Sequence, residues 1–413
     1  MTEMERVQKA KGNPALRIQN VDYGKVIAIE SYDSSIVGYL KNIIRCLCFD
    51  FEIEMPLFVS DKVFFYSMSF VHRKDYDEIK DYFISIFPEF CVVNIRRKKS
   101  LNGTMKKVIK TVIRTAKYFK LGLQSPLLIA VLVTEYQALH ELYLRMLPWD
   151  KFKVIGTFCD ASCADNLTAQ VGKMNGAKTF TLQHGQYRIL RQGFENADAE
   201  SYKNFISDIL LAWGDATRDE FVKYGIDENR VIPVGALKKF SFNHRLMEKV
   251  DTKIFGVILS GDTYKESNIK MIKIANEIAR RINMRYLIRF HPRNKKGIYV
   301  KYINTDFLFS HSHNLSNYAY ARKVEFSIIH MTGTFVEMLS LNSPIFIFDD
   351  EYLEDVFKLE DFCFVDSDQF ISLYGSAKER WNNLKERQYK WYQYFNKEGD
   401  VVKNYRKTME RLI

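Results

Sequence analysis

DILLAWGDATRDEFVKYGIDENRVIPVG, residues 208–235, decides the architecture. Asp208 to Trp213 is an apolar run of strand length that stops at Gly214. Ala216 to Tyr224 has helical spacing and is closed by Gly225, and Arg230 to Val234 is a second apolar run that stops at Gly235. A strand, a helix and a strand in that order make a crossover unit, which pairs its strands in parallel. The same alternation extends toward the N-terminus. Lys178 to Leu182 predicts a strand that delivers Gln183, His184 and Gly185 into a turn, and Ala164 to Met174 predicts a helix stopped by Asn175-Gly176. Lys153 to Phe158 predicts another strand. Further back lie expected helices over 127–146, 103–120 and Arg73 to Phe87, with strands over Phe90 to Ile95 and Lys62 to Phe70. Residues 1–60 show no clean period.

After Gly235 the chain turns polar, as ALKKFSFNHRLMEKVDTK, and the alternation then restarts. Strands are expected at Phe255 to Leu259, Arg285 to Phe290, Glu325 to Ile329 and Pro344 to Phe348, with helices at Ser267 to Ile282 and Thr334 to Leu341. From 367 onward the sequence is charged and helical, with Trp381, Trp391 and Tyr394 as apolar anchors. The expected fold class is α/β: two Rossmann-like domains facing a central cleft, with a helical C-terminal tail. The expected divisions are an N-terminal Rossmann-like domain over 1–237, a linker over 238–253, a C-terminal Rossmann-like domain over 254–366 and tail helices over 367–413. A chain of 413 residues exceeds what one core usually serves.

Composition narrows the class. Hydrophobic residues are 47% and charged residues 27%, which are globular values, and the net charge is +11. A basic balance suits phosphorylated substrates, anionic membranes or nucleic acid. No nucleic-acid module is recognisable, so nucleic acid is not an expected partner. The six cysteines are dispersed without a CxxC pair, which suits a reducing compartment. The opening MTEMERVQKAKGNP has no apolar stretch of signal-peptide kind, and the longest apolar run, Leu127 to Val133, is far short of the ~20 residues that span a bilayer. A cytoplasmic protein is expected, peripheral on the inner face of the cell membrane if its basic helix touches lipid. Dinucleotide, P-loop, nucleophile-elbow and HExxH motifs are all missing, so no cofactor is expected. DxD occurs only at Asp75-Tyr76-Asp77, inside an expected helix, and at Asp366-Ser367-Asp368, near the tail, so no metal site is expected either.

Open α/β sheets bind ligands beyond the carboxyl ends of their strands, which ranks the polar residues. His184 is the first, a group that titrates near neutrality and can serve as a general base, or else pack within its loop. Asp160 follows the 153–158 strand and is either a second candidate base or a cap for the helix near Ala164. His291 and Arg293 follow the 285–290 strand, where a guanidinium suits a diphosphate. Thr332, Gly333 and Thr334 precede a helix whose first amides favour an anion, and Glu337 lies one turn in. Glu337 then accepts from ribose hydroxyls, or closes a capping box with Thr334. Gly261 sits in a strand-end turn, Ser260-Gly261-Asp262, and offers a further contact. The stretch TMKKVIKTVIRTAKYFK gathers Lys106, Lys107, Lys110, Arg114 and Lys117 on one side and Met105, Val108, Ile109, Val112, Ala116 and Phe119 on the other. Such a helix over 105–120 lies on anionic lipid, or is an ordinary surface helix with its apolar side on the core.

The ordered pieces TLQHGQ, AWGDATRDEFVKYGIDENRVIPVGA, RFHPR and TGTFVEMLSLNSPIFIFDD resemble bacterial GT-B enzymes of surface-polysaccharide synthesis. These are the CDP-glycerol glycerophosphotransferase-like and capsule-polysaccharide transferase families. The second piece also looks like part of UDP-sugar 2-epimerases. The resemblance covers about 170 residues and implies a GT-B fold. It places His184 and His291 in the active site, and Thr332, Gly333, Thr334 and Glu337 on the donor nucleotide. Gln186-Tyr187 stands after the His-Gly pair where the glycerophosphotransferases have Thr-Pro, which turns the expectation toward a sugar donor.

The expected function is therefore a metal-independent, inverting glycosyltransferase that uses a nucleotide-activated sugar in capsule, lipopolysaccharide or teichoic-acid-like synthesis. The donor would meet Gly261, His291, Arg293, Thr332, Gly333, Thr334 and Glu337. The glycan or lipid-linked acceptor would lie near Gln183 and Gly185, with His184 or Asp160 as base. Transfer of a polyol phosphate from a CDP-activated donor is the alternative, followed by 2-epimerisation of a sugar nucleotide or binding without turnover.

Overall fold

The structure is a computed structural model that describes residues 3–31, 36–55, 60–67, 74–101, 103–191, 193, 197–238, 253–292, 294–312, 315–330, 332–350, 363–379 and 381–412. Two sheets carry it. The N-terminal sheet contains β1 (Phe49–Glu54), β2 (Lys62–Ser67), β3 (Cys91–Lys99), β4 (Val154–Thr157), β5 (Lys178–Leu182), β6 (Ile209–Ala212) and β7 (Val231–Pro233). Its order is β1-β3-β2-β4-β5-β6-β7, parallel throughout except for β1, which runs antiparallel to β3 along the edge. The C-terminal sheet contains β8 (Ile254–Ile258), β9 (Arg285–Arg289), β10 (Leu308–His311), β11 (Ser327–Ile329), β12 (Ile345–Phe348) and β13 (Cys363–Phe364). Its order, β10-β9-β8-β11-β12-β13, is wholly parallel and reverses direction between β8 and β11.

Central strands such as β6 (ILLA), β8 (IFGVI) and β12 (IFIF) read as unbroken apolar runs because both sheet faces are covered there. In β2 the two-residue period sends Val63 and Phe65 into one core and Phe64 and Tyr66 into the other. The first core receives α1 (Pro126–Met146) and α2 (Cys163–Met174). The helix α1 is long and apolar enough to cross a membrane, but Leu128 to Val133, Tyr136, Leu139 and Tyr143 are all buried against the sheet. The second core centres on Phe83 of α3 (Lys74–Ile86), whose ring lies 5.0 Å from Phe64 and 5.5 Å from Phe180. Burying each such ring contributes about 2–3 kcal/mol.

The tail begins with α4 (Ser367–Glu379) and α5 (Trp381–Phe395) and ends in α6 (Val401–Glu410). Trp391 and Phe395 join the C-terminal core, but Tyr405 and Met409 join the N-terminal one, so the chain crosses back between the two halves. The crossing explains two strand-end glycines. A Cβ on Gly214 would stand 2.5 Å from the Phe395 carbonyl carbon, and one on Gly235 would stand 2.9 Å from Val401, at a φ of +99°. The Lys397 amide donates to the Trp213 carbonyl at 2.7 Å and fastens the tail there.

Several expectations change in detail. The strand expected over Lys62 to Phe70 ends at Ser67, and residues 68–70 lie outside the described residues. Most of the linker expected over 238–253 also lies outside them, with only Lys238 and Lys253 described. The unread first 60 residues hold β1, whose half-buried side chains show no strict alternation. The basic helix forms over Thr104–Lys120, but its apolar side does not face the core: Met105, Ile109, Val112 and Phe119 are exposed, and Lys107, Thr111 and Tyr118 are the buried residues.

Candidate functional site

The strand ends of both sheets meet at a cavity of about 340 Å³. From the N-terminal sheet it takes Asp160, beyond β4, and His184, Gly185 and Arg188, beyond β5. From the C-terminal sheet it takes His291, beyond β9, and Thr332 and Gly333, beyond β11. The last three flank the point where the C-terminal strand order reverses, which is where open α/β sheets bind their ligands.

Gln183 makes the turn that carries His184. Its side chain is buried, and its Oε1 accepts from the Trp213 amide at 2.7 Å and from Thr217 Oγ1 at 2.9 Å. Its Nε2 donates to the Gly185 carbonyl at 2.8 Å. Gln183 therefore stands behind the cavity wall and fixes the two residues that line it. The His184 ring is held edge-on to Tyr76, 5.3 Å away, and beside Phe158, 5.4 Å away.

Asp160 is not the helix cap expected as one of its readings. Its Oδ2 accepts from the backbone amides of Ile206 and Ser207 at 3.0 and 2.6 Å, so it ties the end of β4 to the loop before β6. Burial raises its pKa, and those amide bonds pull the other way. Asp165, in the first turn of α2, reaches back to the preceding loop instead, its Oδ2 accepting from the Cys159 amide at 2.7 Å. The burial of Asp165 pushes its carboxyl up to about 8. It lines a second cavity of about 200 Å³ with Glu30, Tyr66, Arg97, Tyr136 and His184, at the place where the N-terminal strand order reverses between β2 and β4.

On the C-terminal side, a Cβ on Gly261 would lie 3.6 Å from His291 Nδ1, so these two residues share one corner. Asp262 binds the two loops together: its carboxylate accepts from Tyr299 at 2.6 Å, Asn294 at 2.7 Å and the Lys295 amide at 3.1 Å. Arg293 lies outside the described residues. Thr332 is buried and caps the short helix α7 (Thr334–Ser340, following Gly333), its Oγ1 accepting from the Thr334 amide at 3.1 Å. The Phe335 amide is used by the Thr332 carbonyl at 3.0 Å. The capping box expected between Thr334 and Glu337 is thus replaced by Thr332, and Glu337 pairs with Lys238 at 3.3 Å instead. That pair reaches from the end of the N-terminal half to α7, across the cavity wall.

Two further groups escape a sequence reading. Arg188 pairs with Asp198 and lies 4.2 Å over the ring of Tyr264, whose hydroxyl donates to Asp198 at 2.9 Å. This bridge joins the halves beside the cavity, and nothing local in the sequence couples residues so far apart. Ser260, His330 and Asp350 stand at the ends of β8, β11 and β12, with Ser260 Oγ 2.8 Å from His330 Nδ1 and His330 Nε2 2.7 Å from Asp350 Oδ2. All three are buried, so the chain of contacts holds three strand ends in register. His330 directly follows its strand, so a ranking by strand ends could have found it, but its link to Ser260 and Asp350 joins residues distant in sequence. Among the described residues no three His, Cys, Asp or Glu side chains gather as a metal site.

The geometry fits comparisons with known proteins. Anabaena HepE in complex with UDP-glucose is similar over 85% of this chain and 99% of its own, at 11% identity and a TM-score of 0.52. The same protein in complex with UDP gives a TM-score of 0.51 at 10% identity, with the same coverage. A UDP-GlcNAc 2-epimerase from Neisseria meningitidis, bound to UDP-GlcNAc, gives 0.49 at 11% identity over 84% of this chain and 99% of that one. The fold is GT-B, as the motif order implied. No curated protein matches the chain at the sequence level. Residues 5–297, more than two thirds of the chain, match the family described as LIC12162 family transferase, and the chain belongs to that family of transferases.

Proposed function

We propose that the chain is a glycosyltransferase that takes a sugar from a nucleotide donor held on the C-terminal sheet and gives it to an acceptor held on the N-terminal sheet. The observation that carries this reading is the single cavity that gathers His184 from one sheet with His291, Thr332 and Gly333 from the other. A fold relative that holds UDP-glucose supports the donor class. In this account the β8–β11 crevice takes the diphosphate and nucleoside, with His291 as a donor of hydrogen bonds to the phosphates. His184 deprotonates the acceptor hydroxyl, and the new bond forms on the opposite face of the anomeric carbon as the nucleotide leaves. Asp160 has the lesser claim to the base, because two amides already occupy one of its oxygens. The reaction is inverting and uses no metal, and the acceptor is a glycan or lipid-linked glycan of a bacterial surface polysaccharide.

Thermal unfolding of the full chain with UDP, CMP, CDP, GDP and TDP tests the donor. A ligand at 100 times its Kd adds about 2.7 kcal/mol to the folded state, so the right base raises the Tm by several degrees. Failure of all five to move it removes the nucleotide site. With the base known, product analysis separates transfer of a sugar from transfer of a polyol phosphate, epimerisation or binding alone.

A further inference from the structure

Two helices of the N-terminal half present unpartnered apolar strips to solvent. On Ile36–Cys48 the strip is Ile36, Val37, Leu40 and Ile44, each more than half exposed. On Thr104–Lys120 it is Met105, Ile109, Val112, Ile113 and Phe119, with exposures from 52% to 74%. The spacing is helical in both, so each strip lies along one face. The helices pack on each other and on α1, and Thr104 Oγ1 donates to the Leu47 carbonyl at 3.0 Å. Soluble surfaces rarely leave so many large apolar side chains together without a partner.

The charge on these helices identifies the partner. Together they carry Lys41, Arg45, Lys106, Lys107, Lys110, Arg114, Lys117 and Lys120, and not one Asp or Glu. Arg45 and Lys107 turn inward to Glu135 and Asp50, and Lys110 reaches Glu141 on α1. Lys41, Lys106, Lys117 and Lys120 remain exposed beside the apolar strips. A second copy of the chain is a poor occupant, because a two-fold interface would set this basic face against itself. Apolar side chains flanked by exposed lysines match the boundary between acyl chains and anionic headgroups. An open apolar groove of about 450 Å³ between Val37, Leu40, Lys41, Ile44, Arg45 and Phe49 gives an acyl chain a seat.

We propose that this two-helix face docks the protein on an anionic lipid bilayer. The face lies close to the chemistry. Arg45 walls the groove, and its ion-pair partner Glu30 lines the second cavity with His184. A docked molecule would therefore hold that cavity near the lipid surface. The proposal stands whichever group the enzyme transfers.

Flotation of the full chain with vesicles tests it. Vesicles of phosphatidylcholine with one third phosphatidylglycerol should capture the protein at about 0.1 M salt, vesicles of phosphatidylcholine alone should not, and capture should fall more than tenfold at about 0.5 M salt. Joint change of Lys106, Lys117 and Lys120 to Gln should lower the apparent affinity on the order of a hundredfold. Joint change of Ile109→Glu and Ile113→Glu should abolish capture with thermal unfolding unchanged, since both side chains are exposed. If the Glu variant fails to fold, the Gln variant decides alone. Equal capture by both kinds of vesicle, or equal capture of the wild type and the Gln variant, overturns the proposal. So does a dimer in sedimentation that Ile109→Glu converts to a monomer without any vesicle binding.

Discussion

Gln183→Met separates the two jobs of the turn that carries His184. Methionine nearly matches glutamine in volume, so the substitution leaves little cavity and isolates the hydrogen bonds. Three are lost. The Gly185 carbonyl is half-buried and can turn to water, so its loss costs little stability. The Trp213 amide and the Thr217 hydroxyl sit in residues that are 1% and 2% exposed, and they have no such recourse. An orphaned buried amide costs about 1–3 kcal/mol and a lost neutral hydrogen bond about 0.5–1.5 kcal/mol, so the variant should be less stable by about 2–4 kcal/mol. The freed Gly185 carbonyl lets the His184 backbone drift, and a drift of ~1 Å in a catalytic group costs about a hundredfold in rate. Urea unfolding read at constant slope gives the first quantity, and kcat on a verified donor and acceptor gives the second. Nucleotide affinity should be unchanged, because Gln183 belongs to the N-terminal sheet. A variant within about 0.5 kcal/mol of wild type shows that water or a neighbour reaches the Trp213 amide, and the account of the turn is then wrong.

His184→Ala should lower turnover by about 10²–10⁴-fold with nucleotide affinity little changed, as loss of a general base does. A turnover drop matched by an equal drop in nucleotide affinity would make His184 a donor ligand instead. Asp165 supplies a pH signature. Its folded-state pKa of about 8 lies above the unfolded value near 4, so its contribution to stability is complete below pH ~4 and is lost as pH rises through about 8. Asp165→Asn should therefore gain on the wild type steadily between those limits in denaturant midpoints; parallel curves would show that the carboxyl ionises freely in the fold.

The sequence by itself determined the alternation. DILLAW is an apolar run too short for a helix, KTFTL and LIRF mix apolar and polar residues over a strand's length, and each stops where polar residues or glycine begin. That pattern reports local conformation and two-sided burial, both of which are written within a few residues. It also placed His184, His291, Thr332 and Gly333 at strand ends, and the fold brings those four to one cavity. What lay beyond its reach was every contact between distant segments. Glu337 reads as the natural partner of Thr334 three residues away, but the fold offers it Lys238. Asp160 reads as a cap for the helix beside it, but the loop at 206–207 brings two amides that bind it more closely. The strip from Met105 to Phe119 reads equally as core or as lipid face, since amphipathic spacing states that a helix has two sides and not which side meets the protein. The tertiary structure decided only that the strip does not meet the core, by burying Lys107, Thr111 and Tyr118 instead. Gly214 and Gly235 show the same division: their positions marked strand ends in the sequence, but the need for glycine there comes from a tail that returns from residues 395–401 and leaves no room for a Cβ.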